Sequence, residues 1–247
     1  MRSSFKSISL ACFTLILGYF AGNFASKESA PSQTSTVLPT SEWIIKRAPY
    51  TLGYDGKQKQ ARWVYQHLTS ASLEKDAERS ACHFKQDPLI PVSLRSTHED
   101  YTGSGFDRGH LCPAADASYS QEGMNETFYL SNISPQSPSF NRGYWQKLEA
   151  HVRALAVQSG PIHIYTGGLY LPHEESNGKR YVTYQVIGNN DIAVPTHYFK
   201  VVFEEQGALL EAYILPNEQI AAHIPLTEFR TTLEKVEKAA GIIFSMH

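Results

Sequence analysis

The residues best suited to do chemistry stand in one short segment, GSGFDRGHLCPAAD, at positions 103–116. His110 is the group in this segment whose ordinary pKa lies near neutrality, so it is the natural general acid or base. Arg108 offers a planar fork of donors for a phosphate or a carboxylate, and Asp107 can hold a neighbouring group in place. The three glycines allow a substrate to approach the backbone closely. Two interpretations remain open for these residues alone: a site that handles phosphate and protons, or a surface salt bridge beside a hydrogen-bonded histidine.

A second set of polar residues falls on the best predicted helix, FNRGYWQKLEAHVRALAVQSG, at 140–160. Its apolar residues recur at helical spacing, and a glycine closes the pattern. Asn141 lies at the predicted helix start, while Glu149 and Arg153 lie one turn apart further along, so all three can project from one side of the helix. Alone, Asn141 could be a helix cap and the other two an ordinary ion pair. Together with the Asp-Arg-Gly-His segment, they form a set suited to phosphodiester cleavage.

Strand and helix patterns are mixed along the chain, and they determine how these residues can be positioned. Segments that alternate or run apolar between Gly, Pro and Asn are typical of strands, and they lie at 61–69, 129–136, 161–171, 180–188, 196–204 and 209–217. A closing amphipathic helix is predicted at 226–241. Several strands follow one another without regular strand–helix alternation, which favours an α+β fold with a largely antiparallel sheet.

Composition excludes few functions. The chain has 247 residues and a formal net charge of -2, so nucleic-acid binding would require a local basic patch. Cys82 and Cys112 could form a disulfide or remain buried thiols, and we favour the thiols. The ten histidines include several that stand singly and form no known metal-binding motif, which favours structural or surface roles for His151, His163, His173 and His197.

The N-terminus has the pattern of a targeting segment. Basic residues in MRSSFK precede an apolar run at 8–22 and then small and polar residues, as in a secretory signal. The run is shorter than the ~20 residues of a spanning helix. We therefore predict a signal peptide or N-terminal anchor at 1–25, a flexible linker at 26–42 and a folded domain at 43–247. The predicted destination is the periplasm or the exterior, with a membrane-anchored form and an organelle as alternatives.

Several long motifs stand in an order that resembles a known family. TGSGFDRGHL, FYLSNISPQ, FNRGYWQKLE, YQVIGNNDIAVPTHYFKV and YILPN occur in succession. They resemble the DNA/RNA non-specific endonucleases of the ββα-metal (His-Me finger) class, and most of all the endonuclease G branch. The resemblance covers roughly residues 60–245. It implies a mostly antiparallel central sheet flanked by helices, and a Mg²⁺-dependent endonuclease that cleaves DNA and RNA and leaves 5′ phosphates.

The resemblance also implies the roles of individual residues. His110 would be the general base that takes a proton from the attacking water. Asn141 would be the single direct protein ligand of Mg²⁺, with Mn²⁺ as a possible substitute, and Glu149 would reach the water shell of the metal. One protein ligand with several waters suits Mg²⁺, which dehydrates reluctantly.

The remaining roles implied by the resemblance are supporting ones. Arg108 and Arg153 would contact the scissile phosphate or the charge that develops on it. Asp107 would orient the site, and Asn132 would position the histidine or a metal-bound water. A homodimer is also implied, and a protein inhibitor is a further possible partner.

One departure from the endonuclease G pattern follows the catalytic tetrapeptide. Where that branch usually has Asn-His-Arg, this chain reads CPAADAS, which is more similar to bacterial members of the wider family. The departure leaves the compartment open, with the mitochondrial intermembrane space as the alternative for a eukaryotic protein. Two alternative functions also stay open: a catalytically idle nucleic-acid-binding module on the same fold, and an exonuclease-type relative with a blocked cleft.

Overall fold

A computed structural model describes residues 42–244 of the chain. The strands in this part are β1 (Glu42–Lys46), β2 (Thr51–Asp55), β3 (Gln60–Leu68), β4 (Asp107–His110), β5 (Ile133–Gln136), β6 (Ile162–Leu169), β7 (His173–Glu174), β8 (Arg180–Tyr181), β9 (Val186–Ile187), β10 (Ile192–Ala193), β11 (His197–Glu204) and β12 (Leu209–Pro216). The α-helices are α1 (His98–Tyr101), α2 (Gln121–Thr127), α3 (Gln146–Ser159) and α4 (Leu233–Ala240).

Six of the strands form the central sheet. Their spatial order is β1-β2-β3-β6-β11-β12, and every neighbouring pair is antiparallel. The predicted α+β fold with a mostly antiparallel sheet is therefore confirmed. Strand β11 is buried on both faces because helices cover the sheet from both sides.

The two faces of β11 contribute to different hydrophobic clusters. Tyr198 and Val202 pack in the cluster that contains Trp145 and Leu148 from the α3 side. The alternate residues of the strand pack instead in a cluster that includes Val236 of α4. The period of two in a strand thus places α3 and α4 on opposite sides of the sheet.

A small two-stranded sheet carries the Asp-Arg-Gly-His segment. This segment is the whole of β4, which pairs antiparallel with β5, and His110 lies opposite Ile133. Only glycine fits at position 109, because a Cβ there would collide with the side chain of Gln136 on β5. The sequence predicts glycines that let a substrate approach the backbone. At Gly109 the open space is filled by the side chain of Gln136 from the neighbouring strand β5.

The predicted helix at 140–160 forms, but it begins irregularly. Residues Phe140–Trp145 form a π-helical turn, which passes directly into α3. Gly160 ends the helix with a φ of 88°. Short π-helical segments occur frequently at functional sites, and this one contains Asn141.

Three other predicted elements differ from the structure. The closing helix is shorter than 226–241, because the chain near Arg230 pairs with β12 and α4 begins after its N-cap Thr232. The segment 129–136 opens with a 3-10 turn before β5. The segment 180–188 contains two short strands, β8 and β9, that belong to separate two-stranded sheets.

Cys82 and Cys112 are both buried and unbonded to each other, as favoured above. Within residues 42–244, no helix has the length and apolar character needed to cross a bilayer. The predicted targeting segment at 1–25 and nearly all of the linker at 26–42 lie outside the described residues.

Candidate active site

Four of the predicted site residues line one cavity. It has a volume of about 460 Å³, and its walls include His110, Asn141, Glu149 and Arg153. The other lining residues are Arg79, Pro113, Ala114, Ala115, Arg142 and Gln146. Three arginines and a single carboxylate therefore face the same space, which gives a local positive patch on a chain of net charge -2.

His110 enters the cavity from the end of β4 between two aromatic rings. The ring centroids of Phe128 and Phe84 lie 4.8 Å and 5.5 Å from that of the histidine. Its Nε2 atom is buried and has no hydrogen-bond partner within residues 42–244. Burial, with a smaller effect from the charge of Arg79, lowers the pKa of His110 from 6.5 to about 3. The imidazole is therefore neutral near pH 7 and can accept a proton.

Asn141 is held by a carboxylate on the neighbouring strand. Its Nδ2 atom donates a hydrogen bond of 2.9 Å to Oδ2 of Asp107, and Nε of Arg142 donates one of 2.7 Å to the same oxygen. Although burial opposes ionisation of Asp107, the hydrogen bonds from Arg142 and Asn141 lower its pKa. Because the amide nitrogen is committed to Asp107, the amide oxygen of Asn141 is left for the cavity.

The oxygen donors of the cavity fit a hard divalent cation. Asn141 and Glu149 both line the cavity, and no cysteine or second histidine is among the lining residues. Mg²⁺ prefers oxygen ligands and retains several waters, so one amide oxygen and one nearby carboxylate suit it. Asp107 is not itself a lining residue and acts by fixing the orientation of Asn141.

Buried charged groups lie next to the cavity residues Arg153 and Glu149. Nη1 of Arg153 contacts Oδ1 of Asp116 at 3.0 Å, so part of the guanidinium charge is already paired. Lys200 of β11 is 1% exposed and donates a hydrogen bond of 2.7 Å to Thr166. Burial raises the pKa of Glu149 from 4.5 to about 7, although the charge of Lys200 opposes the shift. In the metal-free protein Glu149 is thus divided between its neutral and charged forms near pH 7.

The raised pKa of Glu149 predicts a pH-dependent stability for the metal-free protein. Because the folded pKa lies above the unfolded value, the stabilising contribution is complete below about pH 4.5 and is lost as the pH rises through about 7. Glu149→Gln does not titrate at this position. We expect the melting temperature of the wild type, relative to Glu149→Gln in EDTA, to fall between about pH 4.5 and 7. A difference that stays constant over this window would show that the carboxyl group is not perturbed.

Besides Asp107, two predicted site residues lie away from the cavity walls. Nη2 of Arg108 donates a hydrogen bond of 3.1 Å to the carbonyl of His98, and its guanidinium packs on the rings of Phe84 and Tyr101. This arrangement places it behind Phe84, which in turn contacts His110. The structure thus gives Arg108 a supporting position and does not bring it to the cavity that a phosphate would enter.

Asn132 is completely buried. Its Oδ1 accepts a hydrogen bond of 2.9 Å from the backbone N–H of Cys112, and its Nδ2 donates to the carbonyls of Cys112 and Thr127. The residue therefore fixes the backbone just after His110, as one of its two predicted roles requires. The other predicted role, contact with a metal-bound water, does not fit a side chain whose polar atoms are all committed to backbone.

Arg79 is a site residue that the sequence patterns missed. It lines the cavity, and its guanidinium lies 5.3 Å from the ring centroid of Phe128, against which His110 also packs. It comes from a polar segment with no regular periodicity, so no local signal marks it. Arg142 also lines the cavity. Its position directly after Asn141 in the sequence could have identified it as a site residue.

Comparisons with known proteins identify the family of the chain. The family model described as DNA/RNA non-specific endonuclease matches residues 29–246. The chain is 43% identical over 210 residues to mitochondrial endonuclease G of Bos taurus, covering 84% of this chain and 70% of that one. It is 44% identical over 211 residues to nuclease C1 of Cunninghamella echinulata var. echinulata, with 83% of each chain covered.

A solved structure shares the fold as well as the sequence. The chain matches the crystal structure of an EndoG/EndoGI complex with a TM-score of 0.80 and 42% identity, over 84% of this chain and 87% of that one. The level of identity, the extent of the matches and the cavity built around the Asp-Arg-Gly-His strand lead to one conclusion. This chain belongs to the DNA/RNA non-specific endonuclease family and is a metal-dependent nuclease that hydrolyses phosphodiester bonds.

Proposed function

We propose that the cavity lined by His110 and Asn141 is the catalytic centre, with His110 as the general base and Asn141 as the direct protein ligand of Mg²⁺. The observation that supports this proposal most strongly is that His110 and Asn141 line the same cavity, each with one polar atom available to a ligand. His110 is kept neutral by burial, and Asn141 is left with a free amide oxygen by its bond to Asp107. Asp107 is the positioning residue of the centre.

The neutral imidazole of His110 takes the proton of the attacking water. Since Nε2 is enclosed, Nδ1 is the ring nitrogen that acts on the cavity side. The flanking rings of Phe84 and Phe128 fix the plane of the imidazole and keep bulk water from its enclosed face. A base held in this way is in place before the substrate arrives.

When bound, Mg²⁺ would supply positive charge to the phosphate and to the leaving 3′ oxygen. Asn141 would hold the cation through its amide oxygen, and the carboxylate of Glu149 would accept hydrogen bonds from waters on the cation. Mn²⁺ has the same preference for oxygen ligands and can replace Mg²⁺ at such a site.

The arginines of the cavity bind the phosphate backbone. Arg79 faces the cavity from a separate segment, while Arg142 and Arg153 face it from two places along one continuous helix, so they can engage a phosphate from more than one direction. Contacts of this kind do not depend on the sugar or the base, which suits a nuclease that accepts both DNA and RNA. Arg108 acts indirectly, by supporting Phe84 behind the base.

The chemistry of the product ends tests this proposal. Attack by a water molecule with departure of the 3′ oxygen leaves 5′-phosphate and 3′-hydroxyl ends on DNA and RNA alike. We expect end-labelling and mass spectrometry of a single-stranded RNA digest to find these ends, formed in Mg²⁺ or Mn²⁺ and not in EDTA. Recovery of 2′,3′-cyclic phosphates would contradict the proposal, because they arise from attack by the ribose hydroxyl and need no activated water.

We also propose the organisation of the rest of the protein: a targeting segment at 1–25, a linker at 26–42 and the nuclease domain at 43–247. Export is the destination that the N-terminal pattern supports. Relatives named as mitochondrial nucleases support the mitochondrial alternative. N-terminal sequencing of the mature protein, together with fractionation of cells, distinguishes the two.

A homodimer and a protein inhibitor complete the proposed set of partners. The matched EndoG/EndoGI complex, described as showing the mechanism of EndoG inhibition, supports an inhibitor. The homodimer is supported by the family resemblance alone. Light scattering of the purified protein measures its mass and tests the dimer.

A further inference from the structure

A second group of metal-binding side chains lies outside the catalytic cavity. His67 of β3, His163 of β6 and Glu205, which follows β11, bring their ligand atoms within 4.8 Å of one another. None of the three lines the cavity that contains His110 and Asn141. Because each residue comes from a different strand or strand end, no local motif in the sequence marks the group.

The two histidines are paired across the sheet. His67 lies directly opposite His163 in the register of β3 and β6, and their rings are stacked with centroids 4.8 Å apart. Nε2 of His67 lies 2.7 Å from Oε2 of Glu205, and Nε2 of His163 lies 3.6 Å from the same oxygen. Two imidazole nitrogens therefore converge on one carboxylate.

A fourth residue orients one of the ligands. The hydroxyl of Tyr65 lies 2.8 Å from Nδ1 of His163, which leaves Nε2 of that ring to face Glu205. When Nδ1 donates its proton to the Tyr65 oxygen, Nε2 presents a lone pair. Histidine ligands of metals commonly have their second nitrogen held by a hydrogen bond in this way.

We propose that His67, His163 and Glu205 form a second metal site, which binds a borderline transition-metal cation such as Zn²⁺. Two imidazoles and one carboxylate are a donor set suited to Zn²⁺, with ligand bonds of about 2.0–2.2 Å. Closing three such bonds requires small movements, mainly of the exposed Glu205 side chain. Mg²⁺ prefers an all-oxygen environment, so the two sites of the protein select different metals.

The environment of His163 suits a metal ligand. Two stacked imidazoles repel each other when both are protonated, and one carboxylate cannot fully pair with both. Burial and the neighbouring His67 lower the pKa of His163, although Glu205 opposes the shift. A neutral His163 is the form that a metal requires.

A bound cation would join three neighbouring strands of the central sheet. It would connect β3 and β6 with the chain just after β11, close to where Phe203 pairs with His163. A ligand that binds the folded state alone stabilises it in proportion to the logarithm of its concentration. At a Zn²⁺ concentration about 100 times Kd, we expect the melting temperature to rise by roughly 5–10 °C.

The test uses the full chain stripped with EDTA, desalted and then supplied with excess Mg²⁺. Isothermal titration with Zn²⁺ is expected to show one equivalent bound by the wild type. His67→Gln and Glu205→Gln each remove one ligand from an exposed position, and we expect at least about a 10-fold loss of Zn²⁺ affinity. Circular dichroism checks that both variants are folded, and their Mg²⁺-dependent nuclease activity should be unchanged.

Two further variants serve as controls. His173→Ala removes a histidine that also faces a carboxylate, Glu175 at 3.8 Å, but that has no third ligand in the described structure. Asn141→Ala removes the proposed ligand at the catalytic centre. Both are expected to keep the equivalent of Zn²⁺. Loss of Zn²⁺ binding in Asn141→Ala with retention in His67→Gln, or no binding by the wild type, would overturn the proposal of a second site and leave the catalytic proposal unaffected.

Discussion

Replacement of His110 by alanine is expected to lower the rate of phosphodiester cleavage by about 10³-fold, within the range of 10²–10⁴ typical of a general base. In the proposed mechanism the neutral ring is the proton acceptor, and no other histidine lines the cavity within residues 42–244. The measurement is the initial rate of nicking of supercoiled plasmid in saturating Mg²⁺. Loss of the base should leave DNA binding nearly intact, because the arginines of the cavity remain.

Two controls separate lost chemistry from lost structure in this variant. His223→Ala changes an exposed histidine outside the cavity and should keep the wild-type rate. Alanine at 110 leaves a space between Phe84 and Phe128 that added imidazole can enter, so imidazole should restore part of the activity. A folded His110→Ala protein that cuts plasmid at the wild-type rate would remove the histidine from the mechanism.

Replacement of Asn141 by alanine is the second change with a large expected effect. It removes the amide oxygen that we assign to the metal, and with it several kcal/mol of transition-state stabilisation. A loss of about 4 kcal/mol corresponds to a rate about 10³-fold lower. The concentration of Mg²⁺ that gives half-maximal rate should also rise, and a Mg²⁺ titration of the cleavage rate measures both effects.

The neighbours of Asn141 provide a graded series for this prediction. Asp107→Ala removes the anchor and leaves the ligand, so we expect apparent Mg²⁺ affinity to fall by about 10–100-fold, as for other groups that orient a metal ligand. Gln146→Ala removes an amide that lines the same cavity and makes no bond to Asp107. We expect Gln146→Ala to keep nearly the wild-type Mg²⁺ affinity and cleavage rate. Equal effects of Gln146→Ala and Asn141→Ala would mean that the amide of Asn141 has no special role.

The central strands and the main site residues could be predicted from the sequence because their signals are local. Strands β6, β11 and β12 alternate or run apolar over eight residues each, and the helix that carries Glu149 and Arg153 has a clear period. His110 and Asn141 stand in motifs that the family resemblance marks. The closing helix forms as predicted but begins later, because residues 226–229 form a 3-10 helix and Arg230 pairs with Tyr213 of β12. Local periodicity cannot reveal such a contact.

What the sequence could not reveal are contacts between distant segments. The bond from Asn141 to Asp107 joins a helix to a strand, and the turn of Arg108 toward His98 depends on how β4 lies against α1. Arg79 reaches the cavity from a short 3-10 helix in a segment without regular periodicity. The group of His67 and His163 depends on strand register, which is set by the packed sheet.

The central claim is that one metal-dependent cavity cleaves both kinds of nucleic acid. The measurement that tests it most directly compares cleavage of supercoiled plasmid and of single-stranded RNA by the same purified protein, in Mg²⁺ and in EDTA, beside His110→Ala. We predict that both substrates are cut in Mg²⁺ and that both activities disappear together in EDTA and in the variant. Activity on one substrate that survives while the other is lost, or a folded protein that binds DNA and cuts neither substrate, would contradict the claim.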